Sequence, residues 1–149
     1  MIKKFLLADD DQDDTELFEE ALKSIDNSIE LSAASNGKEA LQKLAQQIAV
    51  PEIIFLDINM PEMDGWDCLT NIKKSDRFKD IPVVMFSTSS ASVSGQKAIQ
   101  SGAIGYLEKP TSYLKLRDFL RELSRASQHT LLETMRSIES SKAYNFFVA

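Results

Sequence analysis

The chain has 149 residues, 43% of them hydrophobic and 27% charged, with a net charge of −6. That length supports one domain with a single proper core, and the acidic balance, with Lys and Arg in runs no longer than two, argues against a nucleic-acid surface. The lone cysteine, Cys68, excludes an intramolecular disulfide framework. No apolar run nears the roughly 20 residues of a membrane span, and the start, basic and then apolar, breaks at Asp9, too early for a signal peptide. A cytoplasmic protein with neither a membrane nor a nucleic acid as partner is the expectation.

Strand and helix patterns alternate five times. Phe5-Leu6-Leu7-Ala8 is an apolar strand ending on Asp9-Asp10. Leu17, Phe18, Ala21, Leu22 and Ile25 then share one helical face, with Asp11 as N-cap and Asp13, Asp14 and Glu16 in the first turn, where the dipole favours anions. Ile29, Leu31 and Ala33 alternate with polar residues as in a half-buried strand, and Asn36-Gly37 is a turn signal. Ala40, Leu41, Leu44, Ala45 and Ile48 give a second helix that stops before Pro51.

Ile53-Ile54-Phe55-Leu56 is apolar without alternation, as in a strand covered on both faces, and ends on Asp57. Trp66, Leu69, Thr70 and Ile72 mark a third helix in which Cys68 is a semi-buried filler. The polar link Ser75-Asp76-Arg77-Phe78-Lys79-Asp80 leads to the strand Pro82-Val83-Val84-Met85-Phe86, which precedes Ser87. A serine-rich segment from Ser87 to Ser94 opens a fourth helix with Val93, Ala98 and Ile99 inward and Gly102 at its end. A short strand at 104–107 precedes Glu108 and Lys109-Pro110, and Leu114, Leu116, Phe119, Leu120 and Leu123 form a fifth helix.

Right-handed crossovers turn this order into an α/β, doubly wound parallel sheet with helices on both faces. Residues 1–126 are assigned to that domain and 127–149 to a C-terminal helical tail. In the tail, Thr130-Leu131-Leu132-Glu133 has capping-box spacing, and Leu131, Met135 and Ile138 share a face. The segment Tyr144-Asn145-Phe146-Phe147-Val148-Ala149 is too apolar for a loose end. It packs either on its own domain or on a partner, which makes the tail a candidate homodimer interface.

In a parallel sheet the strand endings meet along one edge, where open α/β folds bind ligands. An ionised carboxylate at the end of a buried strand is costly unless compensated, and Asp57 is read as a nucleophile that accepts a phosphoryl group rather than as a simple cap. Asp9 and Asp10 bring further negative charge to the same place. Like charges that close need a cation, and magnesium, with its preference for carboxylate, water and phosphate oxygens, fits. Pro110 biases Lys109 towards extended geometry, fixing an ammonium at the pocket edge where it can balance phosphate charge. Ser87, between those strands, offers a hydroxyl to a phosphoryl oxygen. His129, the single histidine, lies between helices and is read as solvated.

Asp9-Asp10, Leu56-Asp57-Ile58-Asn59-Met60-Pro61-Glu62-Met63-Asp64-Gly65, Ser87 and Gly105-Tyr106-Leu107-Glu108-Lys109-Pro110 together resemble the receiver domain of two-component response regulators, over roughly residues 1–124. The resemblance implies a CheY-like five-stranded parallel sheet in the order 2-1-3-4-5 with five helices. It implies that Asp57 is the phosphoacceptor, that Asp10 is a direct magnesium ligand, that Asp9 acts mostly through water and that the Asn59 carbonyl completes the protein ligands. Lys109 then bonds the phosphoryl group, Ser87 and Tyr106 form the switch pair, and Asn59 and Ser89 tune a slow autodephosphorylation. The implied donor is a sensor histidine kinase or phosphotransfer protein, and the Ser75–Asp80 link with Thr88-Ser89-Ser90 resembles single-domain receivers paired with phytochrome-like or other hybrid kinases.

Under that resemblance the chain is a signalling domain rather than an enzyme. Its output is protein contact through the face of the fourth helix, fifth strand and fifth helix. With no room for a further domain after residue 124, a stand-alone regulator is expected. Two rivals differ in chemistry. A haloacid dehalogenase-type phosphatase would want a second Asp where Asn59 stands, and a degenerate receiver would lack some of the five key positions.

Overall fold

Side chains of the central strands alternate between two cores, which is the signature of a sheet covered on both faces. In the computed structural model, which describes residues 1–149, Phe5 and Leu7 of β1 (Lys4–Ala8), Ile53 and Phe55 of β3 (Ile53–Leu56), and Val84 and Phe86 of β4 (Val83–Ser87) enter one core. Leu6, Ala8, Ile54, Leu56, Val83 and Met85 enter the other. The first core is dominated by an aromatic cluster, in which Phe18 stands edge-on to Phe55 at 5.1 Å and to Phe86 at 5.7 Å between ring centroids.

The remaining elements are α1 (Gln12–Ile25), β2 (Glu30–Ala34), α2 (Gly37–Gln46), α3 (Gly65–Lys74), α4 (Ala91–Gln100), β5 (Gly105–Glu108), α5 (Tyr113–Ser124), α6 (Leu131–Ser141) and β6 (Phe146–Val148). The sheet order is β2-β1-β3-β4-β5-β6, parallel throughout except for the last, antiparallel strand. The expected 2-1-3-4-5 arrangement is thus present with one strand added beyond the five. Asp11 caps α1 by accepting from Asp14 N at 3.1 Å, as its position ahead of an acidic turn requires.

Several local expectations are corrected. Asn36, where the chain bends between β2 and α2, is in addition a helix N-cap, accepting from Glu39 N at 2.8 Å. Helix α2 stops at Gln46, so Ile48 falls outside it and is fully exposed. In α3 the inward residues are Cys68, Leu69 and Ile72, while Thr70 faces solvent. Cys68 is fully buried, which pushes its thiol up to about 12 and removes it from thiolate chemistry. Helix α4 buries Ala91, Gly95 and Ala98 instead of Val93, which is 79% exposed. Leu114 is likewise exposed at the start of α5. Thr130 precedes α6 without closing a capping box: its hydroxyl accepts from Ser127 N at 3.0 Å instead.

The tail joins the first core. Leu131, Met135 and Ile138 of α6, with Phe146 and Val148 of β6, pack with Leu116, Phe119 and Leu123 of α5, and the Phe119 and Phe146 rings meet edge-on at 5.0 Å. Burial of each such side chain contributes on the order of 1.5–3 kcal/mol before the entropy of ordering it.

Candidate functional site

The strand ends are set by the ladder itself. Asp9 N donates to Ala34 O and Asp57 N donates to Ala8 O, both at 2.9 Å, while Lys109 N donates to Ser87 O at 2.8 Å. These bonds carry the β2-β1-β3 and β4-β5 pairings just past the strands and bring the four endings to one edge. There, carboxylate oxygens of Asp9, Asp10 and Asp57 lie within 4.8 Å of one another. Asp9 and Asp57 are buried and Asp10 is exposed. The Asp9 carboxylate accepts from Asp11 N at 2.9 Å, and Asp57 Oδ1 accepts from Ile58 N at 2.8 Å, so both are oriented by backbone.

Lys109 compensates this charge. Its Nζ lies 2.7 Å from Asp9 Oδ2, 2.8 Å from Asp14 Oδ2 and 3.4 Å from Asp57 Oδ2. Burial alone would lower the Lys109 pKa, but the Asp14 and Asp9 carboxylates more than offset it and hold the ammonium above its ordinary range. Asp14 is the member that sequence reasoning missed, having been assigned only to the acidic first turn of α1.

Burial pushes the Asp9 carboxyl up to about 6, against the opposing pull of Lys109 and the Asp11 N–H. The folded state therefore holds a proton that the unfolded chain has already lost between its ordinary 3.8 and about 6. Within that window the stabilising contribution of this group is greatest at low pH and is lost as pH rises through the folded value. Urea melts of the metal-free chain should accordingly show the Asp9 contribution falling from about pH 4 to about pH 6, and Asp9→Asn should flatten that slope.

Asp9 Oδ2 is buried, and the partner it has is the Lys109 ammonium at 2.7 Å. A buried anionic oxygen, an all-carboxylate donor set and a single ammonium shared among Asp9, Asp14 and Asp57 suit a hard divalent cation. The residues present therefore fit magnesium.

Ser87 closes β4, 1% exposed, and faces the same edge. Tyr106, in the middle of β5, is fully buried and donates its hydroxyl to Ser89 O at 2.9 Å. Burial raises that phenol above its ordinary value, while Ser87, Ser94 and Ser89 around the hydroxyl pull it down. Asn59 lies exposed on the β3–α3 loop two residues past Asp57. Glu108, which follows Leu107 on β5, accepts from Ala91 N at 3.4 Å and so ties the strand to the start of α4, a role the sequence did not suggest. His129 is exposed and far along the chain from this edge, as expected of a solvated side chain.

The loop carrying Asp57 is held by Gly65, whose N donates to Ile58 O at 2.8 Å. A Cβ at Gly65 would meet Asp57 O at 2.1 Å, a contact with backbone that no side-chain rotation relieves. Gly65→Ala should cost on the order of 1–3 kcal/mol, the range for overpacking, read as a lowered melting temperature that Mg2+ only partly restores.

The curated relatives that this chain matches range from single regulators to much longer proteins. Two-component response regulator ORR5 of Oryza sativa subsp. japonica is 35% identical over 105 residues, 70% of this chain and 76% of that protein. Sensor histidine kinase CheAY of Helicobacter pylori is 31% identical over 107 residues, 72% of this chain. The chain spans only 13% of that kinase and 32% of a similar protein-glutamate methylesterase from Syntrophomonas wolfei.

Among solved structures, the phosphorylated cyanobacterial phytochrome response regulator RcpA superposes with a TM-score of 0.73 at 29% identity, over 81% of this chain and 90% of that one. The Mn(2+)-bound response regulator Rcp1 gives 0.70 at 31% identity, over 80% and 89%. No helix here is long and apolar enough to cross a membrane. The response regulator receiver domain family matches residues 5–121, and with the acidic trio, Ser87 and Lys109 gathered on one sheet edge, the chain belongs to the receiver domain family of two-component response regulators.

Proposed function

We propose that this chain accepts a phosphoryl group on Asp57 from a sensor histidine kinase or phosphotransfer protein and passes the change on through α4, β5 and the elements beside them. The observation that carries the reading is Lys109 Nζ poised within 3.4 Å of Asp57, Asp9 and Asp14 at the open edge of the sheet. A carboxylate oxygen of Asp57 attacks the donor phosphorus, an O–P bond forms, and the P–N bond to the donor imidazole breaks with its electron pair leaving on nitrogen. The Ile58 N–H holds the carboxylate in one orientation, which lowers the cost of reaching an in-line geometry. Lys109 balances charge on the transferring oxygens, so that positioning and electrostatics supply most of the catalysis.

Asp9, Asp10, Asp57 and the Asn59 carbonyl are the residues that would hold magnesium, which when bound neutralises the phosphoryl oxygens. Ser87 then donates its hydroxyl to a phosphoryl oxygen, and Tyr106, whose ring already lies inward beside Ser87, reports that movement to α4. Asn59 and Ser89 flank the bond and govern how fast water removes the group. Similarity to RcpA and to the bacteriophytochrome response regulator AtBRR, at 29% and 27% identity, favours a phytochrome-type kinase as donor.

Incubation with acetyl phosphate and Mg2+, followed by intact mass measurement, should add a single phosphoryl mass, which is lost on standing in Mg2+ once the donor is removed and retained when EDTA is added. Steady turnover of p-nitrophenyl phosphate without that adduct would instead make the chain a phosphatase.

A further inference from the structure

The outer edge of β5 is not open. β6 pairs along it antiparallel, placing Val148 opposite Gly105, Phe147 opposite Tyr106 and Phe146 opposite Leu107. Directly opposed residues share a face, so Phe147 lies on the Tyr106 side of the sheet, towards α4. There it rests on Gly95, where an added Cβ would meet the Phe147 ring at 2.7 Å. Its neighbours Phe146 and Val148 turn to the other face and are buried with α5 and α6.

The strand is held from outside as well. Val148 N donates to Glu139 Oε2 of α6 at 2.8 Å, and Arg136 donates to Ala149 O at 3.2 Å. Glu108 N donates to Asn145 O at 2.9 Å, and Ala149 N to Ile104 O at 2.9 Å, extending the pairing at both ends.

This placement bears on the switch. Tyr106 is fully buried, its hydroxyl on Ser89 O, and it shares a core with Ala91 and Ala98 of α4. An outward turn of that ring would carry it past the β5 edge, into the ground taken by Phe147 and the Gly95 surface. Resting on the reading of Asp57 as phosphoacceptor, we infer that Phe147 is a positioning residue for Tyr106. The tail strand braces the ring inward, and tail docking and phosphorylation therefore favour the same arrangement.

Linkage makes the coupling reciprocal: the phosphoryl group tightens the tail, and the docked tail tightens the phosphoryl site. Phe147 suits this role because it is 38% exposed, so most of the tail's anchoring rests on other side chains and the ring can be changed without removing the core.

The test uses the full chain with beryllofluoride and Mg2+ as phosphoryl analogue, reading analogue affinity by titration and the exchange of amide hydrogens at 145–149 by mass spectrometry. In the unaltered chain the analogue should slow exchange across 145–149, and in Asp57→Asn it should change nothing. Phe147→Ala should weaken analogue binding roughly five-fold or more, the lower end of ordinary coupling between sites, and Phe147→Tyr should restore it. Gly95→Ala, which crowds the Phe147 ring from α4, should speed exchange of the tail, and adding Phe147→Ala to it should relieve that crowding.

Equal analogue affinity in Phe147→Ala and the unaltered chain, with tail exchange indifferent to the analogue, would overturn the brace while leaving Asp57 as acceptor. Faster tail exchange on analogue binding would reverse the sign of the coupling and overturn it too. Absence of any analogue binding would remove the Asp57 reading and the brace with it.

Discussion

Asp57→Asn is expected to take up no phosphoryl group from acetyl phosphate and Mg2+ while remaining folded. The amide keeps the size of the carboxylate, and its oxygen can still accept from Ile58 N, the contact that orients the side chain at 2.8 Å. What disappears is the negative charge that the proposed attack on phosphorus requires. The substitution also takes one negative charge from a group of carboxylates within 4.8 Å of each other, where like charges oppose one another. The melting temperature without metal should therefore hold or rise, which separates a chemical loss from a folding defect. Intact mass and a thermal melt on the same preparation check both halves.

Lys109→Ala is expected to be the most damaging change at the site that leaves Asp57 in place. The Lys109 side chain is 9% exposed and contacts three carboxylates, so its removal strands buried anions. Breaking a buried pair from one side costs about 3–5 kcal/mol. Much of that loss should return at low pH, because without the ammonium Asp9 holds its proton to still higher pH, and in Mg2+, which supplies the missing positive charge. The phosphorylation rate at saturating Mg2+ should still fall roughly 100- to 1000-fold, the scale for losing one charge-stabilising donor. Lys109→Arg should not restore it, since a planar guanidinium cannot replace a compact ammonium among those oxygens. Quench-flow labelling with urea melts at two pH values reads both effects.

The gathering of these residues at one edge was legible because they sit where the chain changes character. Asp9, Asp57, Ser87 and Lys109 each follow a short apolar run, and a parallel sheet brings such endings together whatever the loops between them do. Asp14 was not legible in the same way. Its partner Lys109 lies 95 positions away, and nothing local distinguishes it from an acid placed for the helix dipole.

Helix phase was the weaker reading. In α4 the small residues Ala91, Gly95 and Ala98 face inward because β6 and β5 approach closely, and a hydropathy pattern favours Val93 over a glycine. Ile48 continues the apolar spacing of α2 although the helix ends at Gln46, because no stop signal stands between Gln46 and Pro51. The sixth strand is three residues long, too short for any period to declare itself. Its apolar composition pointed to a packed end, and the free edge of β5 decided where.

Asp57, and no other acid in the cluster, is expected to carry the phosphoryl group. Reduction of the phosphorylated chain with borohydride converts an aspartyl phosphate to homoserine, and peptide sequencing by mass spectrometry then locates it. Homoserine at position 57 alone, present only when Mg2+ and acetyl phosphate were both supplied, is the predicted result. Homoserine at position 9, 10 or 14, or none in a chain that had gained the phosphoryl mass, would remove Asp57 as the acceptor.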